Sequence, residues 1–421
     1  MSIIDKMLKA YHYRLYPNQQ HQTMFAKHFG CNRFVYNWAL EIKTEAYAKE
    51  NKSLSRFDLQ SQMLQLKAEN IWLKEVNSQT LQSSLLNLDT AFSNFFRRCK
   101  QDVKEKGYPT FKTRKGRQSF QCPQNVTVDF EHGKISFPKI KEVKCTFSRQ
   151  FTGTMKTVTV SRTPANRYFV SILVETKDTI PSKPKITRET AIGIDLGLKD
   201  FAILSTGEKI PNPRFNEKEQ PKLKRLNRRI SRQSRMNDKH TNNRNKNCIK
   251  RARLFEKISN RKNDFLHKLS SRIVSENQTI CIEDLNIAGM MKNHKVAGSF
   301  ASVSLSTFVN YLEYKSEWYG KNIVRINRFD PSSRISNCCG DYNHNLKLSD
   351  RSWVCRKCGK TLDRDVNAAN NIKDFALDKQ NLITQIPRAT RESTLQERKP
   401  LHSKKEVVVQ VSSVNEESAI L

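Results

Sequence analysis

The sequence of 421 residues contains 75 Lys and Arg against 41 Asp and Glu, which gives a formal net charge of +34. Hydrophobic residues make up 37% of the chain, enough to build packed cores, so the composition excludes a chain that is disordered as a whole. The charge is far larger than solubility requires and indicates a polyanionic partner, for which nucleic acid is the leading candidate.

The sequence lacks the marks of export and of membrane insertion. No stretch approaches the roughly 18–20 consecutive apolar residues of a membrane span. Residues 1–17 have neither the apolar segment nor the small-residue cleavage site of a signal peptide. We therefore expect an intracellular, cytoplasmic protein that is associated with DNA and has no membrane partner.

The first part of the chain predicts a strand, a helical region and then a β domain. Residues 8–17 alternate polar and large side chains, as a strand does. From Gln19 to about Val103 the apolar residues recur at helical spacing. After Gly107 come short alternating runs bounded by turn residues, which predict a small antiparallel sheet or barrel.

A domain boundary is predicted in the segment 178–187, which contains two prolines and little apolar content. Further on, the stretch from Lys222 to Lys262 contains 16 Lys or Arg and only two acids, among regularly spaced apolar residues. This pattern predicts long basic helices. Because they cannot pair their charges within the helix, they need an anionic surface to lie against.

Acidic residues stand at three separate places where chemistry is possible. Asp195 and Glu283 each end an apolar strand, and Asp363 and Asp365 open a helix. Taken singly, each acid has an equally good structural interpretation as a cap or an ion-pair partner. Together they would supply the hard oxygen ligands of Mg²⁺, and two such ions promote phosphoryl transfer.

Four cysteines lie within 21 residues of one another, at positions 338, 339, 355 and 358. Cys355 and Cys358, followed by Gly, match one knuckle of a zinc ribbon. The other knuckle is irregular: Gly340 follows Cys339, but Ser336 stands where the partner cysteine is expected.

Three alternatives remain open for this cluster. Zn²⁺ is bound by Cys339, Cys355 and Cys358 with His344 or water as the fourth ligand; or Cys338 moves into place; or no metal is bound. Adjacent side chains normally diverge, so we expect that Cys338 and Cys339 do not both reach one ion.

An aromatic and basic stretch precedes the predicted β domain. Phe95, Phe96, Tyr108 and Phe111 lie among several Lys and Arg residues between positions 97 and 117. Such rings can stack on bases while the cations contact phosphates. For Phe95 and Phe96, on a predicted helix, the sequence favours a place in the core.

Taken together, these motifs resemble the TnpB (OrfB) proteins, which are transposon-encoded relatives of the type V CRISPR effector nucleases. The likeness is carried by GIDLGLKDFA, IEDLNIAGM and LSDRSWVCRKCGKTLDRDVNAANNI, and by the opening run KAYHYRLYPNQQHQTMFAKHFGCNRFVYNWAL. It extends over roughly residues 8 to 376.

The resemblance implies a multidomain α+β fold. A RuvC-like nuclease domain of RNase H fold, with a basic helical insertion and a zinc-ribbon-like insertion, would follow a wedge-type β domain that carries a helical recognition insertion. The expected segments are the first wedge strand (1–17), helical recognition domain (18–107), wedge β domain (108–180), nuclease core (187–334) with basic helices at about 220–275, ribbon (335–360), end of the core (361–376) and disordered tail (377–421).

The resemblance also implies an RNA-guided DNA endonuclease. Asp195 and Glu283 match the first two catalytic acids, and Asp365, rather than Asp363, matches the third; all three would bind Mg²⁺ in a two-metal mechanism. The implied partners are a guide RNA from the transposon end and double-stranded target DNA. The alternatives are a catalytically impaired, repressor-like RNA-guided DNA-binding protein and, less favoured, a strand-transfer transposase.

Overall fold

The computed structural model describes residues 6–101, 105–235, 241–286, 289, 304–347 and 349–379. Its contacts divide the described residues into two compact α+β units, one formed by those within 1–183, 214–274 and 306–320, and the other by those within 184–213, 275–305 and 321–379. Within the described ranges, no helix combines the length and apolar character needed to cross a membrane.

The first unit contains a seven-stranded antiparallel sheet. Its strands are β1 (Lys6–Tyr16), β2 (Gln118–Cys122), β3 (Thr127–Asp129), β4 (Lys134–Phe137), β5 (Ile140–Thr146), β6 (Thr154–Arg162) and β7 (Tyr168–Thr179). The order is β2-β6-β7-β1-β5-β4-β3, so the first strand of the chain lies inside the sheet. Alternate residues of β7 are buried, as expected for a strand with one face on a core. The predicted opening strand and β region are confirmed.

The helices that interrupt this sheet in sequence are α1 (Gln19–Glu50), α2 (Arg56–Glu69) and α3 (Ser78–Lys100). The side chain of Asn18 caps the start of α1, and Asn51, in the left-handed conformation at φ 52°, ends it. Ser55 and Asp58 form a capping box at the start of α2. Buried leucines of all three helices form one apolar core.

The basic helices are α4 (Gln220–Arg235) and α5 (Asn242–Glu276), and α6 (Leu305–Trp318) packs with α5. Leu226, Leu254 and Ile258 form a small core between α4 and α5. Their contacts group α4 and most of α5 with the first unit, although the sequence placed them within the nuclease core. The side-chain ammonium of Lys315 in α6 donates hydrogen bonds to the Ser270 and Ser271 hydroxyls of α5.

The second unit is built on a mixed sheet. Its strands are β8 (Ala191–Leu196), β9 (Asp200–Leu204), β10 (Lys209–Pro211), β11 (Thr279–Glu283) and β12 (Asn322–Ile326), in the order β10-β9-β8-β11-β12. Strands β8, β11 and β12 are parallel, whereas β9 and β10 are antiparallel to their neighbours.

Two further elements complete the second unit. β13 (Ser352–Val354) and β14 (Thr361–Asp363) form a hairpin in the cysteine-containing segment. It leads into helix α7 (Arg364–Lys379), which packs on one face of the mixed sheet. Because α7 continues to Lys379, residues 377–379 are helical rather than part of the predicted tail. The rest of that tail, residues 380–421, lies outside the described residues.

Candidate active site

Asp195 and Glu283 end neighbouring parallel strands of the mixed sheet. Strands β8 and β11 pair with Gly193 opposite Cys281. Two residues further along each strand, the next positions on the same face are Asp195 and Glu283, because side chains alternate between the faces of a sheet. The two carboxyl groups therefore share one face and one edge of the sheet.

Helix α7 covers that face and brings the third acid to the same edge. A Cβ atom at Gly193 would stand 2.0 Å from the carbonyl oxygen of Ala369, so the helix backbone contacts the strand directly. Ala191 belongs to the same apolar core as Ala376, which lies further along α7, so the helix runs antiparallel to β8. Asp365 lies one helical turn before Ala369 and hence toward the carboxyl end of β8.

The pKa values of the first two acids show that these groups interact. The pKa of Asp195 is raised to about 6, chiefly by burial and next by the charge of the Asp365 carboxylate. Burial likewise raises the pKa of Glu283 to about 7, with the charge of Asp195 as the next cause. Perturbed carboxyl groups of this kind concentrate at functional sites, and a nearby divalent cation would favour their ionised forms. Three carboxylates at one edge are a donor set that fits Mg²⁺.

The three carboxylates do not form a single tight group. Among the residues that the structure describes, only the cysteine cluster brings three or more His, Cys, Asp or Glu ligand atoms within 4.8 Å of one another. The carboxylate of Asp365 is instead paired with guanidinium nitrogens of Arg364 at 3.2 Å and Arg351 at 3.4 Å. A cation at this site therefore has to compete with two guanidinium groups for Asp365.

Asp363 has a structural role that Asp365 lacks. Its Oδ1 accepts hydrogen bonds from the backbone N–H groups of Asp365 and Val366 at 3.1 and 3.0 Å, which caps α7. Its other oxygen pairs with the ammonium group of Lys209. Burial alone would raise the pKa of Asp363, but the hydrogen bond from Lys209 and the helix N–H groups hold it below its usual value. Of the two candidates, only Asp365 keeps its carboxylate outside the cap.

Asp330 is an acid of this region that sequence reasoning missed. It follows the end of β12, where its Oδ2 accepts a hydrogen bond from the N–H of Asn327 at 2.9 Å. Its charge also contributes to the raised pKa of Glu283. The signal in the sequence was an acid in the turn that follows an apolar strand. That strand, β12, ends at the same edge of the sheet as β8 and β11.

Three asparagines fix α7 to the loop that precedes the cysteine cluster. The buried side-chain amides of Asn367 and Asn371 both donate hydrogen bonds to the carbonyl oxygen of Ile335, at 2.7 and 2.6 Å. In the other direction, the backbone N–H of Asn337 donates to the Asn367 side chain at 2.8 Å. Since Asp365 is only two residues before Asn367, these bonds restrain its position. The sequence had assigned these amides no role.

All four clustered cysteines come together. The Sγ atoms of Cys338, Cys339, Cys355 and Cys358 lie within 4.8 Å of one another. The Sγ of Cys338 is 3.0 Å from that of Cys358, and the Sγ of Cys339 is 3.2 Å from that of Cys355. The expectation that Cys338 and Cys339 cannot both reach one point was wrong.

A tight turn explains the convergence. The N–H of Gly340, a residue with φ 74°, donates to the carbonyl oxygen of Ser336 at 2.8 Å and bends the chain back on itself. The turn places Cys338 Sγ 2.8 Å from the Ser336 hydroxyl and next to the other knuckle. His344 is not a member of the cluster. Four sulfur atoms at one point match the tetrahedral donor set of structural zinc.

Three families match separate parts of the chain. Residues 171–294 match OrfB_IS605, described as "Probable transposase", and residues 306–372 match the "Cas12f1-like, TNB domain". Residues 7–52, which form β1 and the single helix α1, match a family described as "Helix-turn-helix domain".

Two relatives are similar over most of their length. A Streptomyces pristinaespiralis protein named "Putative RNA-guided DNA endonuclease" is 38% identical over 375 residues, covering 88% of this chain and 90% of the relative. The Escherichia coli K12 protein InsQ, which bears the same description, is 32% identical over 386 residues, covering 87% and 92%. A solved Cas12f1–sgRNA–target DNA complex matches at 14% identity with a TM-score of 0.46, covering 87% of this chain and 99% of that one.

Proposed function

This chain belongs to the TnpB (OrfB) family of transposon-encoded proteins related to the type V effectors, and from that premise we propose that it is an RNA-guided DNA endonuclease. It cleaves phosphodiester bonds in double-stranded DNA that pairs with a guide RNA from the transposon end. The names of the two bacterial relatives support this activity, since the chain matches about nine tenths of each.

The observation that carries the proposal is the meeting of three acids at one edge of the mixed sheet. Asp195 and Glu283 are in register on parallel strands, and the packing of α7 on Gly193 brings Asp365 to the same edge. Three antiparallel strands followed by two parallel ones also support the RNase H-like fold of a RuvC-type domain.

Asp195, Glu283 and Asp365 are proposed to hold Mg²⁺ for a two-metal mechanism. When bound, Mg²⁺ supplies the Lewis acidity that makes water a nucleophile and stabilises the leaving oxygen. The protein's part is to present ionised carboxylates in a partly buried site, where charges are screened less than in water. Because the pKa values of Asp195 and Glu283 are raised, these two side chains become good ligands only as the pH approaches neutrality.

The basic helices supply a surface for the nucleic acid. Arg229, Arg232, Lys246 and Lys250 line a groove of about 400 Å³ between α4 and α5, together with the amide side chain of Asn247. Cations on such a groove release counterions from a phosphate backbone and bind it without reading its sequence. Guide and target pairing, rather than these side chains, would then select the DNA.

The cysteine cluster is proposed to bind one structural Zn²⁺ through all four sulfurs. This assignment chooses the alternative with Cys338 as the fourth ligand over those with His344 or water. The cluster precedes α7 in the chain, and the Asn337 bonds connect the two. Zinc would therefore help to hold the segment that positions Asp365.

The activity is tested by expressing the protein together with the transposon ends and sequencing the RNA that co-purifies. The complex is then incubated with plasmids that carry a guide-matched target beside a randomised flank. We expect cutting with Mg²⁺, and none with EDTA or a mismatched guide. Binding without cleavage would instead favour the repressor-like alternative, and joining of transposon ends would favour a strand-transfer transposase.

A further inference from the structure

The last turn of α3 and residues 105–117, which lead toward β2, place three large aromatic rings at the surface of the first unit. Phe96 is 53% exposed, Tyr108 48% and Phe111 57%. The expectation of a core position was wrong for Phe96, because the last turn of α3 extends beyond the leucine core that holds Phe92. Leaving such rings in water forgoes roughly 1.5–3 kcal/mol for each that could be buried.

Two of the rings, those of Tyr108 and Phe96, pack on other aromatic side chains of the first unit. The ring of Tyr108 packs edge-on against Phe92 and Phe95, with centroids 5.6 and 5.2 Å apart, and its hydroxyl lies 3.2 Å from the hydroxyl of Thr44. Phe96 stacks on Phe92 at 6.2 Å. The protein thus fixes the inner sides of Tyr108 and Phe96 and leaves about half of each side chain open.

The backbone below the rings is clamped to α1. The side-chain amide of Asn37 accepts a hydrogen bond from the N–H of Lys112 at 2.8 Å and donates one to its carbonyl oxygen at 3.0 Å. The ammonium group of Lys112 lies 3.7 Å from the centre of the Tyr36 ring. With Tyr108 against Thr44 and Lys112 against Asn37, the segment runs antiparallel to α1. The ring of Tyr108 and the backbone next to Phe111 are therefore in place before any partner binds, which lowers the entropic cost of binding.

The stretch of chain that carries the rings is rich in Lys and Arg and poor in acids. Asp102 and Glu105 are the only acids between positions 96 and 117. The exposed cations of the same stretch include Arg97, Arg98, Lys100, Arg114, Lys115 and Arg117. Within the described part of the chain, none of these six side chains forms an ion pair. Exposed rings and exposed cations in one stretch of chain are the combination that stacks bases and binds phosphates.

We propose that this aromatic platform, formed by Phe96, Tyr108 and Phe111 with the six cations, binds an unpaired stretch of nucleic acid. Bases stack on the rings and phosphates contact the cations. A duplex is the wrong partner, because its base faces are already covered by their neighbours. The inference rests on the proposed function in one respect, namely that guide RNA or opened target DNA supplies the unpaired strand.

The groove beside Phe111 suits the edges of such bases. Phe111 and Arg117 line a cavity of about 540 Å³ together with Asn87, Gln121 and Ser84. The side-chain amides of Asn87 and Gln121 are hydrogen bonded to each other at 3.1 Å and still have donors and acceptors to offer. A base that leaves the stack at Phe111 therefore meets polar groups rather than bare apolar surface.

The test uses the full-length protein, freed of nucleic acid, and fluorescein-labelled U12, dT12 and a 12-base-pair DNA duplex as probes. Phe96→Leu, Tyr108→Leu, Phe111→Leu and the triple variant remove rings but keep apolar side chains. Phe57→Leu on α2, where Phe57 is 67% exposed, is the matched control. Phe96→Trp, which keeps a stacking surface, is the rescue variant.

We expect each single Leu variant to weaken U12 or dT12 binding by about 5- to 150-fold, the loss that corresponds to about 1–3 kcal/mol per stacked base. Duplex binding, the salt dependence and the Phe57→Leu control should stay as in wild type, and Phe96→Trp should bind at least as tightly as wild type. A larger loss for U12 assigns the platform to RNA, and a larger loss for dT12 assigns it to DNA.

Three results would overturn the platform: wild-type protein that binds neither single strand, a triple variant that binds both as wild type does, or equal losses for single strands and duplex. The assay needs no guide, target or Mg²⁺. If the protein proves inactive as a nuclease, the proposed aromatic platform is unaffected. If an active nuclease binds single strands without help from the rings, only the platform is contradicted.

Discussion

The Oδ1 atom of Asp363 accepts a hydrogen bond from the backbone N–H of Asp365 at 3.1 Å, so two acids that are nearly adjacent in sequence do different work. Asp363→Ala removes the cap of α7 and should destabilise the protein by about 1 kcal/mol while cleavage continues. Asp365→Asn leaves the cap in place but removes a ligand charge, and cleavage should fall by about 10²-fold or more. Unfolding and cleavage assays on both variants check this, and the reverse pattern would assign the catalytic role to Asp363.

The raised pKa values of Asp195 and Glu283 predict how the metal-free protein responds to pH. Their folded-state pKa values of about 6 and about 7 lie above the ordinary 3.8 and 4.5. The stability that these groups contribute is therefore full below about pH 4 and is lost as the pH rises through 6 and 7.

The double variant Asp195→Asn/Glu283→Gln removes both titrations. In EDTA we expect it to be more stable than wild type at pH 8, by on the order of 1–2 kcal/mol, with the difference shrinking toward about pH 4. Saturating Mg²⁺ should stabilise only the wild type. A wild type that is the more stable protein in EDTA at pH 8 would contradict the account.

The contact between Gly193 and α7 predicts an unusually sensitive glycine. In Gly193→Ala the new Cβ would meet the carbonyl oxygen of Ala369 at 2.0 Å and the backbone nitrogen of Lys373 at 2.9 Å, and neither can move without the helix. We expect a loss of about 3 kcal/mol in unfolding free energy together with a loss of cleavage.

The matched control is Gly30→Ala in α1, where an added Cβ would have no atom within 4 Å apart from its chain neighbours and the backbone of its own helix. That change should leave stability equal or raise it by up to about 1 kcal/mol, because alanine favours a helix more than glycine does. Equal effects of the two substitutions would show that α7 does not rest on Gly193.

The convergence of four cysteines predicts the zinc content of single variants. Wild-type protein should hold about one zinc ion per chain, and Cys338→Ser should lose most of it, because serine stays protonated near neutral pH and is a poor ligand. His344→Ala and Cys248→Ser, outside the cluster, should keep the metal. Metal analysis by mass spectrometry decides this. If Cys338→Ser keeps its zinc and His344→Ala loses it, the fourth ligand is His344 and not Cys338.

Part of this arrangement could be predicted from the sequence, because the residues next to some positions reveal their local structure. Asp195 and Glu283 end runs of apolar residues, so the sequence alone places both at strand ends. Their pairing in register depends on hydrogen bonds between strands that are far apart in the chain, and no local pattern encodes it. Asp330 went unnoticed for the same reason, since only the sheet order puts the end of β12 beside Glu283.

Local rules also failed where a turn redirects side chains. The rule that adjacent residues diverge was wrong for Cys338 and Cys339, because the turn at Gly340 folds the chain so that both sulfurs reach the other knuckle. Helical periodicity likewise gave a wrong prediction for Phe96. It predicted a buried position, but Phe96 lies beyond the end of the apolar core and is exposed.

The most direct test of the central claim is to measure cleavage and DNA binding by Asp195→Ala, Glu283→Ala and Asp365→Ala, each with the same guide and target and saturating Mg²⁺. If the three carboxylates serve one metal centre, each variant binds target DNA as tightly as wild type and cuts it about 10³-fold more slowly or not at all. If any one of the three cuts at the wild-type rate, the three acids do not form a common catalytic site.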